Sequence, residues 1–200
     1  DADIICLQEF HVDNIAEVKS YLRKRFKGYK AEYFLNHQGG QGSGNVTLSR
    51  FPAKGKGVIN FEESANLALY TDYEVERRRF RVYNCHFQSY GISFNGLVRA
   101  FAERDEQAFA ETSRKVKHSI HLRPKQVNQV FDHVESCQME SFVCGDFNDN
   151  PMSYTYQRLI RGRKDSFVEA GKGVGATFSL LWPMLRIDYV LFPDRCKGIS

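Results

Sequence analysis

The sequence predicts an α+β fold, a layered sandwich of sheets and helices. Three observations carry this. Short apolar runs rich in β-branched residues recur along the chain, mostly joined as hairpins. Only about three helical stripes are inserted between them, without the regular strand–helix alternation of a doubly wound sheet. The composition, 200 residues with 42% hydrophobic, 26% charged and 5 Pro, suits one sizeable core rather than disorder. No repeat, linker or low-complexity break divides the chain, so residues 1–200 are expected to form one domain.

Residues 3–8 are nearly all apolar and read as a strand buried on both faces. Asn14, with Glu17 three residues later, resembles a capping box, and Ile15, Val18, Leu22 and Phe26 share one helical face before Gly28. Tyr29 to Leu35 reads as a strand. Gly39 to Gly44 reads as a flexible turn; a phosphate-cradling loop would end in Gly-Lys-Ser/Thr, and this one ends in Gly-Asn-Val. Val46 to Ser49 is a short strand. Residues 65–73 and 78–87 read as a hairpin across the polar connection Asp72 to Arg77. Residues 94–118 are polar with a weak helical stripe. Residues 124–136 form a clearer helix, with Pro124 in its first turn and Val127, Val130, Phe131 and Val134 on one face. Ser141 to Cys144 and Ile187 to Phe192 are buried strands.

Charge is mildly basic, 28 Lys plus Arg against 24 Asp plus Glu, a net of +4. That is compatible with an anionic partner without marking nucleic acid. The excess lies in Arg23 to Arg25, Arg77 to Arg79 and Arg161 to Lys164, which read first as solvated turns and helix ends. The five cysteines include no C-x-x-C pair, so a zinc site is not expected. Cys6, Cys85 and Cys144 read as small core hydrophobes, which slightly favours a reducing compartment. The longest apolar runs have four residues (Ile4–Leu7, Leu67–Tyr70, Tyr189–Phe192), so no transmembrane helix is expected. Asp1-Ala2-Asp3 does not resemble a signal peptide, and the chain reads as a piece with trimmed ends.

Chemistry-bearing residues stand where buried strands end. Glu9 closes Ile4 to Gln8, His86 closes Arg81 to Cys85, and Asp146 and Asn148 close Phe142 to Gly145. Asp188 lies against an apolar strand, where a charge needs a partner or a metal. Singly, each reads as an ordinary satisfied polar group. Together they could converge on one pocket, where hard oxygen donors suit Mg²⁺ or Mn²⁺ and His can move a proton or donate to a developing oxyanion. That set suits metal-assisted hydrolysis of phosphate esters.

Five segments resemble, in order, motifs of the endonuclease/exonuclease/phosphatase superfamily, the deoxyribonuclease I-like group. They are Asp3-Ile4-Ile5-Cys6-Leu7-Gln8-Glu9, Gly44-Asn45-Val46-Thr47-Leu48-Ser49-Arg50-Phe51-Pro52, Tyr83-Asn84-Cys85-His86, Gly145-Asp146-Phe147-Asn148 and Arg186-Ile187-Asp188-Tyr189. Residues 82–91 and 171–178 are worded most like bacterial members. The resemblance implies a four-layer α/β/β/α sandwich with its site at one edge of the sheets. It implies that Glu9 binds Mg²⁺ (or Mn²⁺), Asp146 orients or activates water, Asn148 and His86 hold the scissile phosphate, and Asp188 pairs with a second, C-terminal His. Asn45 and Asn84 are support candidates, and Tyr90 could reach the phosphate, though an ordinary exposed aromatic is the plainer reading. The family's first strand, with a metal-framing Asn, and its last motif, Ser-Asp-His, have no counterpart in the chain. Weak or absent activity is therefore expected of this polypeptide. The expected partner is a phosphate ester, with nucleic acid compatible and a monomer assumed. The competing reading is a non-catalytic module of the same fold that grips nucleic acid or phospholipid headgroups through its Arg clusters. Substrate choice would fall to segments 36–44, 88–118 and 171–185, where Trp182 could stack on a base or simply pack.

Overall fold

The structure, a computed structural model, describes residues 2–91, 94–173, 175–178 and 185–198. Two sheets face one another. Strands β1 (Ile4–Val12), β2 (Lys30–Gln38) and β3 (Gln41–Ser49) form an antiparallel sheet in the order β1-β3-β2. The second sheet contains β4 (Gly55–Asn60), β5 (Leu67–Val75), β6 (Arg78–His86), β7 (Glu140–Asp146), β8 (Arg163–Asp165) and β9 (Asp188–Pro193). Its order is β4-β5-β6-β7-β9-β8.

Helices cover the outer faces. On the first sheet lies α1 (Val18–Arg25), which follows a 3₁₀ turn at Ile15–Glu17. Its Val18 and Leu22 pack with Leu35, Val46 and Leu48. After β6 come α2 (Phe94–Leu97), a π-helical turn (Val98–Ala102) and α3 (Glu106–Glu135). Strands β6 and β7 run parallel, and a parallel pair needs such a crossover. Val127, Val130 and Val134 of α3 bury against Tyr83, Cys85 and Val143 of the second sheet. Helices α4 (Tyr154–Leu159) and α5 (Ser166–Ala170) follow. Tyr73, Val82 and Cys144 meet Ile4, Cys6, Phe51 and Phe80 between the sheets. The result is helix, sheet, sheet, helix, the expected four layers.

Several elements depart from the sequence reading. β1 is half-buried rather than buried on both faces, because it is an edge strand of the smaller sheet. Of Gly39 to Gly44 only Gly39 and Gly40 turn, with φ +57° and +89°, and residues 41–44 already belong to β3. The β5–β6 connection shrinks to Glu76-Arg77, both at positive φ (50° and 68°), the conformation of a two-residue type I′ hairpin turn. Pro124 does not begin a helix; it lies inside the 30-residue α3. A proline there removes one backbone hydrogen bond, a cost of about 3 kcal/mol. Packing on both sides offsets it, with Thr112, Ser119 and Leu122 buried before it and Val127, Val130 and Val134 after it. The five cysteines are free thiols, with Cys85 and Cys144 buried and Cys6 half-buried.

Candidate active site

The site grows from three neighbouring strand ends. In the parallel β6–β7 pair His86 stands opposite Asp146, and in the antiparallel β7–β9 pair Asp146 stands opposite Asp188. The three side chains therefore occupy consecutive strands at one level. Gly145 makes this possible. Its φ is +131°, and a Cβ there would run into the Cys85 carbonyl oxygen, so only glycine lets β7 lie this close to β6.

Glu9 arrives from the other sheet. The β1–β3 register shifts between Leu7 and Phe10, and Glu9 has φ +51°. Such a bulge re-aims a side chain at some backbone cost. Here it carries the Glu9 carboxylate to 3.6 Å from His86 Nε2, with the Glu9 side chain 77% exposed and that of His86 10% exposed.

Asparagines fasten the two sheets behind this point. Asn84 Nδ2 donates to the carbonyl oxygens of Leu7 (3.2 Å) and Val46 (3.0 Å), and Asn84 Oδ1 accepts from Gln8 Nε2 (2.6 Å). Asn45 Nδ2 donates to the Asn84 carbonyl at 2.9 Å. Asn148 follows β7 at φ +51°. Its backbone N–H donates to Asp146 Oδ1 (2.8 Å) and its Nδ2 to the Phe87 carbonyl (3.0 Å), tying the β7 loop to the β6 loop. The Asp188 and Ile187 N–H groups both donate to Thr177 Oγ1, at 3.1 and 3.0 Å.

The electrostatics are those of crowded carboxylates. Burial, with Asp188 and Glu9 nearby, pushes the Asp146 carboxyl up to about 6, against the hydrogen bond from Asn148 and the more distant charge of Arg123. Burial lowers the His86 pKa although Glu9 and Asp188 pull it upward, so the imidazole is neutral at pH 7. His86 Nε2 is buried and has no hydrogen-bond partner among the described residues. A polar pocket of about 540 Å³ opens beside it, lined by Glu9, His86, Asn45, Asn66, His37 and Gln41 among others.

Among the described residues no group of three or more His, Cys, Asp or Glu side chains is gathered to hold a metal ion. That excludes a closed, zinc-like cage of protein ligands from the described residues. It fits the looser sites of Mg²⁺, which takes one or two carboxylates and completes its shell with water and substrate phosphate. Glu9 is the exposed carboxylate that could meet such a cation, which there would relieve part of the field that raises Asp146.

The structure thus brings Glu9, His86, Asp146, Asn148 and Asp188 to one strand-end cluster. Asn45 and Asn84 lie beneath it as ties between the sheets. Tyr90 is exposed, as its plainer reading expects, with the Arg123 guanidinium 4.4 Å from its ring centre. Trp182 lies outside the described residues. The one Asp-His dipeptide, Asp132-His133, sits in α3, where His133 Nδ1 meets the Tyr83 hydroxyl at 2.9 Å, away from Asp188. Sequence reasoning missed Arg123, Gln126 and Asp149, which brace the loops around the cluster. The signal was present: Arg123 continues the stripe of Val127, Val130 and Val134 on the buried face of α3.

The chain belongs to the Endonuclease/Exonuclease/phosphatase family, matching it over residues 1–197. No curated protein matches it in sequence. Solved structures share its fold at low identity. The human Nocturnin catalytic domain with bound sulfate superimposes with a TM-score of 0.61 at 16% identity, covering 96% of this chain and 69% of that one. Truncated TDP2 of Caenorhabditis elegans gives 0.63 at 18% identity, covering 99% and 73%. Sphingomyelinase C of Streptomyces griseocarneus gives 0.62 at 17% identity, covering 99% and 74%.

Proposed function

We propose that the protein hydrolyses phosphate esters by attack of water at phosphorus, assisted by a divalent cation held at Glu9. The observation that carries this is the alignment of His86, Asp146 and Asp188 on adjacent strands, with Glu9 delivered to the same point from the opposing sheet. Family membership and the phosphoesterases among proteins of this fold support it.

Asp146 is the base. At pH 7 it is mostly ionised, yet its raised pKa makes it a better proton acceptor than an exposed carboxylate. Its Oδ1 is held by the Asn148 N–H, leaving Oδ2 for the water. His86 offers a neutral, unpartnered Nε2 to a phosphate oxygen, a donor that costs nothing to release because no protein group occupies it. Asn148 Nδ2 spends one hydrogen on the Phe87 carbonyl and keeps one for the phosphate. Asp188 adds the negative field that keeps Asp146 basic. A bound Mg²⁺ or Mn²⁺ would supply charge neutralisation at the phosphate and leaving oxygen.

The binding-module reading has no observation in its favour at the site. A pure anion binder gains nothing from Asp188 and Glu9 placed close enough to raise the Asp146 carboxyl. The test is a screen of DNA, RNA, phospholipid and small phosphomonoester substrates with Mg²⁺ or Mn²⁺, with and without EDTA. Turnover that EDTA abolishes, weak in this polypeptide, is expected for at least one substrate class. Absence of turnover across the panel, or turnover indifferent to EDTA, overturns the proposal.

A further inference from the structure

Two loops carry the groups just described: residues 87–91 after His86 and residues 147–150 around Asn148. Both are gripped by one face of α3. Arg123 is 3% exposed, and its Nε donates to the Gln88 carbonyl at 2.7 Å. Its Nη1 lies 2.9 Å from Asp149 Oδ2. Three residues on, Gln126 Oε1 accepts from the Gln88 N–H at 2.8 Å. Arg123 and Gln126 therefore hold both backbone polar groups of Gln88, two residues beyond His86. Asp149, next to Asn148, is fixed in turn by Thr155 Oγ1 at 2.9 Å. A buried guanidinium is costly unless its partners are well placed, and core side chains on α3 are ordinarily apolar. Arg123 Nη2 and Gln126 Nε2 stay buried without partners among the described residues, so the pair is not arranged for maximal stability.

We propose that Arg123 is a positioning residue of the site, which acts through Gln88 and Asp149 to hold His86 and Asn148 at their working separation. This rests on the hydrolase reading. The planar fork of Arg spans two acceptors at once, and Lys, a single point charge, cannot hold both in that geometry. Small displacements of groups that bind a transition state cost rate more than ground-state affinity.

The test compares Arg123→Lys with Arg163→Lys as a control. Arg163 bridges the Glu135 carboxylate at 3.0 Å, at the far end of α3. The probe is bis(4-nitrophenyl) phosphate with Mg²⁺ or Mn²⁺. Arg123→Lys is expected to lower kcat about 10–100-fold, with KM changed less than threefold, measured at a temperature where it remains folded. Arg163→Lys should leave kcat unchanged. Asp149→Asn should lower kcat similarly, and the double variant should be no worse than Arg123→Lys alone, since both act through one contact. A second readout needs no turnover: NMR signals of the Asn148 side-chain amide and the His86 ring should shift in Arg123→Lys and not in Arg163→Lys. Wild-type kcat in Arg123→Lys, or unshifted signals, overturns the inference and leaves the hydrolase reading standing. A wild-type protein inactive on this probe and across the substrate panel overturns the hydrolase reading instead, while the NMR comparison still decides whether Arg123 sets the geometry.

Discussion

At the scale of single residues, the site stores an electrostatic conflict at Asp146. A raised carboxyl pKa means that the folded state holds this proton more tightly than the unfolded chain does. The penalty is therefore absent below pH 4 and grows as pH rises from about 4 to about 6. Asp146→Asn keeps the acceptor for the Asn148 N–H and removes the charge. It should stabilise the fold by about 1–2 kcal/mol at pH 7, allowing for partial exposure, and by almost nothing at pH 4. Urea melts at the two pH values check this. On the proposed mechanism the same carboxyl sets the acid limb of activity: its value of about 6 is that of the metal-free site, a cation at Glu9 moves it lower, and kcat/KM should rise with pH from the acid side and be level by about 7. A pH–rate profile flat from about pH 3.5 to 7 would remove Asp146 from that role. His86 runs the other way. Its lowered pKa contributes stability present above about 6.5, its unfolded value, and lost as pH falls below it.

Secondary-structure elements determine whether these residues meet. The β6–β7 approach depends on Gly145, and Gly145→Ala would force the added methyl against the Cys85 carbonyl at an unfavourable φ. A loss of about 3 kcal/mol or more is expected, read as a lowered denaturation midpoint. A shift smaller than 1 kcal/mol would show that the strands can separate cheaply. This is also the scale at which the sequence was least legible. The ends of β6 at His86 and β7 at Asp146 and the start of β9 at Asp188 were visible at the edges of apolar runs; Glu9 also stands where an apolar run stops, but β1 continues past it to Val12. The bulge that aims Glu9 was not, since nothing in Gln8-Glu9-Phe10 marks a left-handed residue. Pro124 hid the unity of α3: local propensity starts a helix there, while burial on both sides carries the helix through it. Cutting the helix at Pro124 placed Arg123 outside it and concealed its place on the buried stripe. Short β4 and β8 went unread because Gly55 to Asn60 and Arg163 to Asp165 lack a sustained apolar alternation and are set by their neighbours.

For the whole molecule, the layers matter because the site belongs to neither sheet. Glu9 comes from one and His86, Asp146 and Asp188 from the other, so the proposed catalysis requires the sheets to keep their relative position. Asn84 and Asn45 are the polar ties across that interface. Asn84→Ala leaves Gln8 Nε2 and the Leu7 and Val46 carbonyl oxygens without their partner. It should cost about 2–4 kcal/mol and, where the protein remains folded, lower activity as well by loosening Glu9 from His86. Stability unchanged within 0.5 kcal/mol would mean that apolar contacts such as Tyr73 and Val82 against Ile4 and Cys6 fix the sheets alone. The layered class was legible in the hairpin spacing and the ordered motifs. The pairing of the two sheets through Asn84 was not, because the contact joins residues 76 positions apart. No helix among the described residues is long and apolar enough to cross a membrane.

In the proposed mechanism the strand-end carboxylate Asp146 drives water onto a phosphate ester beside a cation at Glu9. The most direct measurement is steady-state hydrolysis by the wild-type protein, Asp146→Asn and Glu9→Gln over a Mg²⁺ titration, using the substrate with highest turnover. Asp146→Asn should lose about 10²–10⁴-fold in kcat at every Mg²⁺ concentration. Glu9→Gln should need far more Mg²⁺ to reach half its maximal rate. Wild-type rates in Asp146→Asn, or an unchanged Mg²⁺ requirement in Glu9→Gln, would contradict the account.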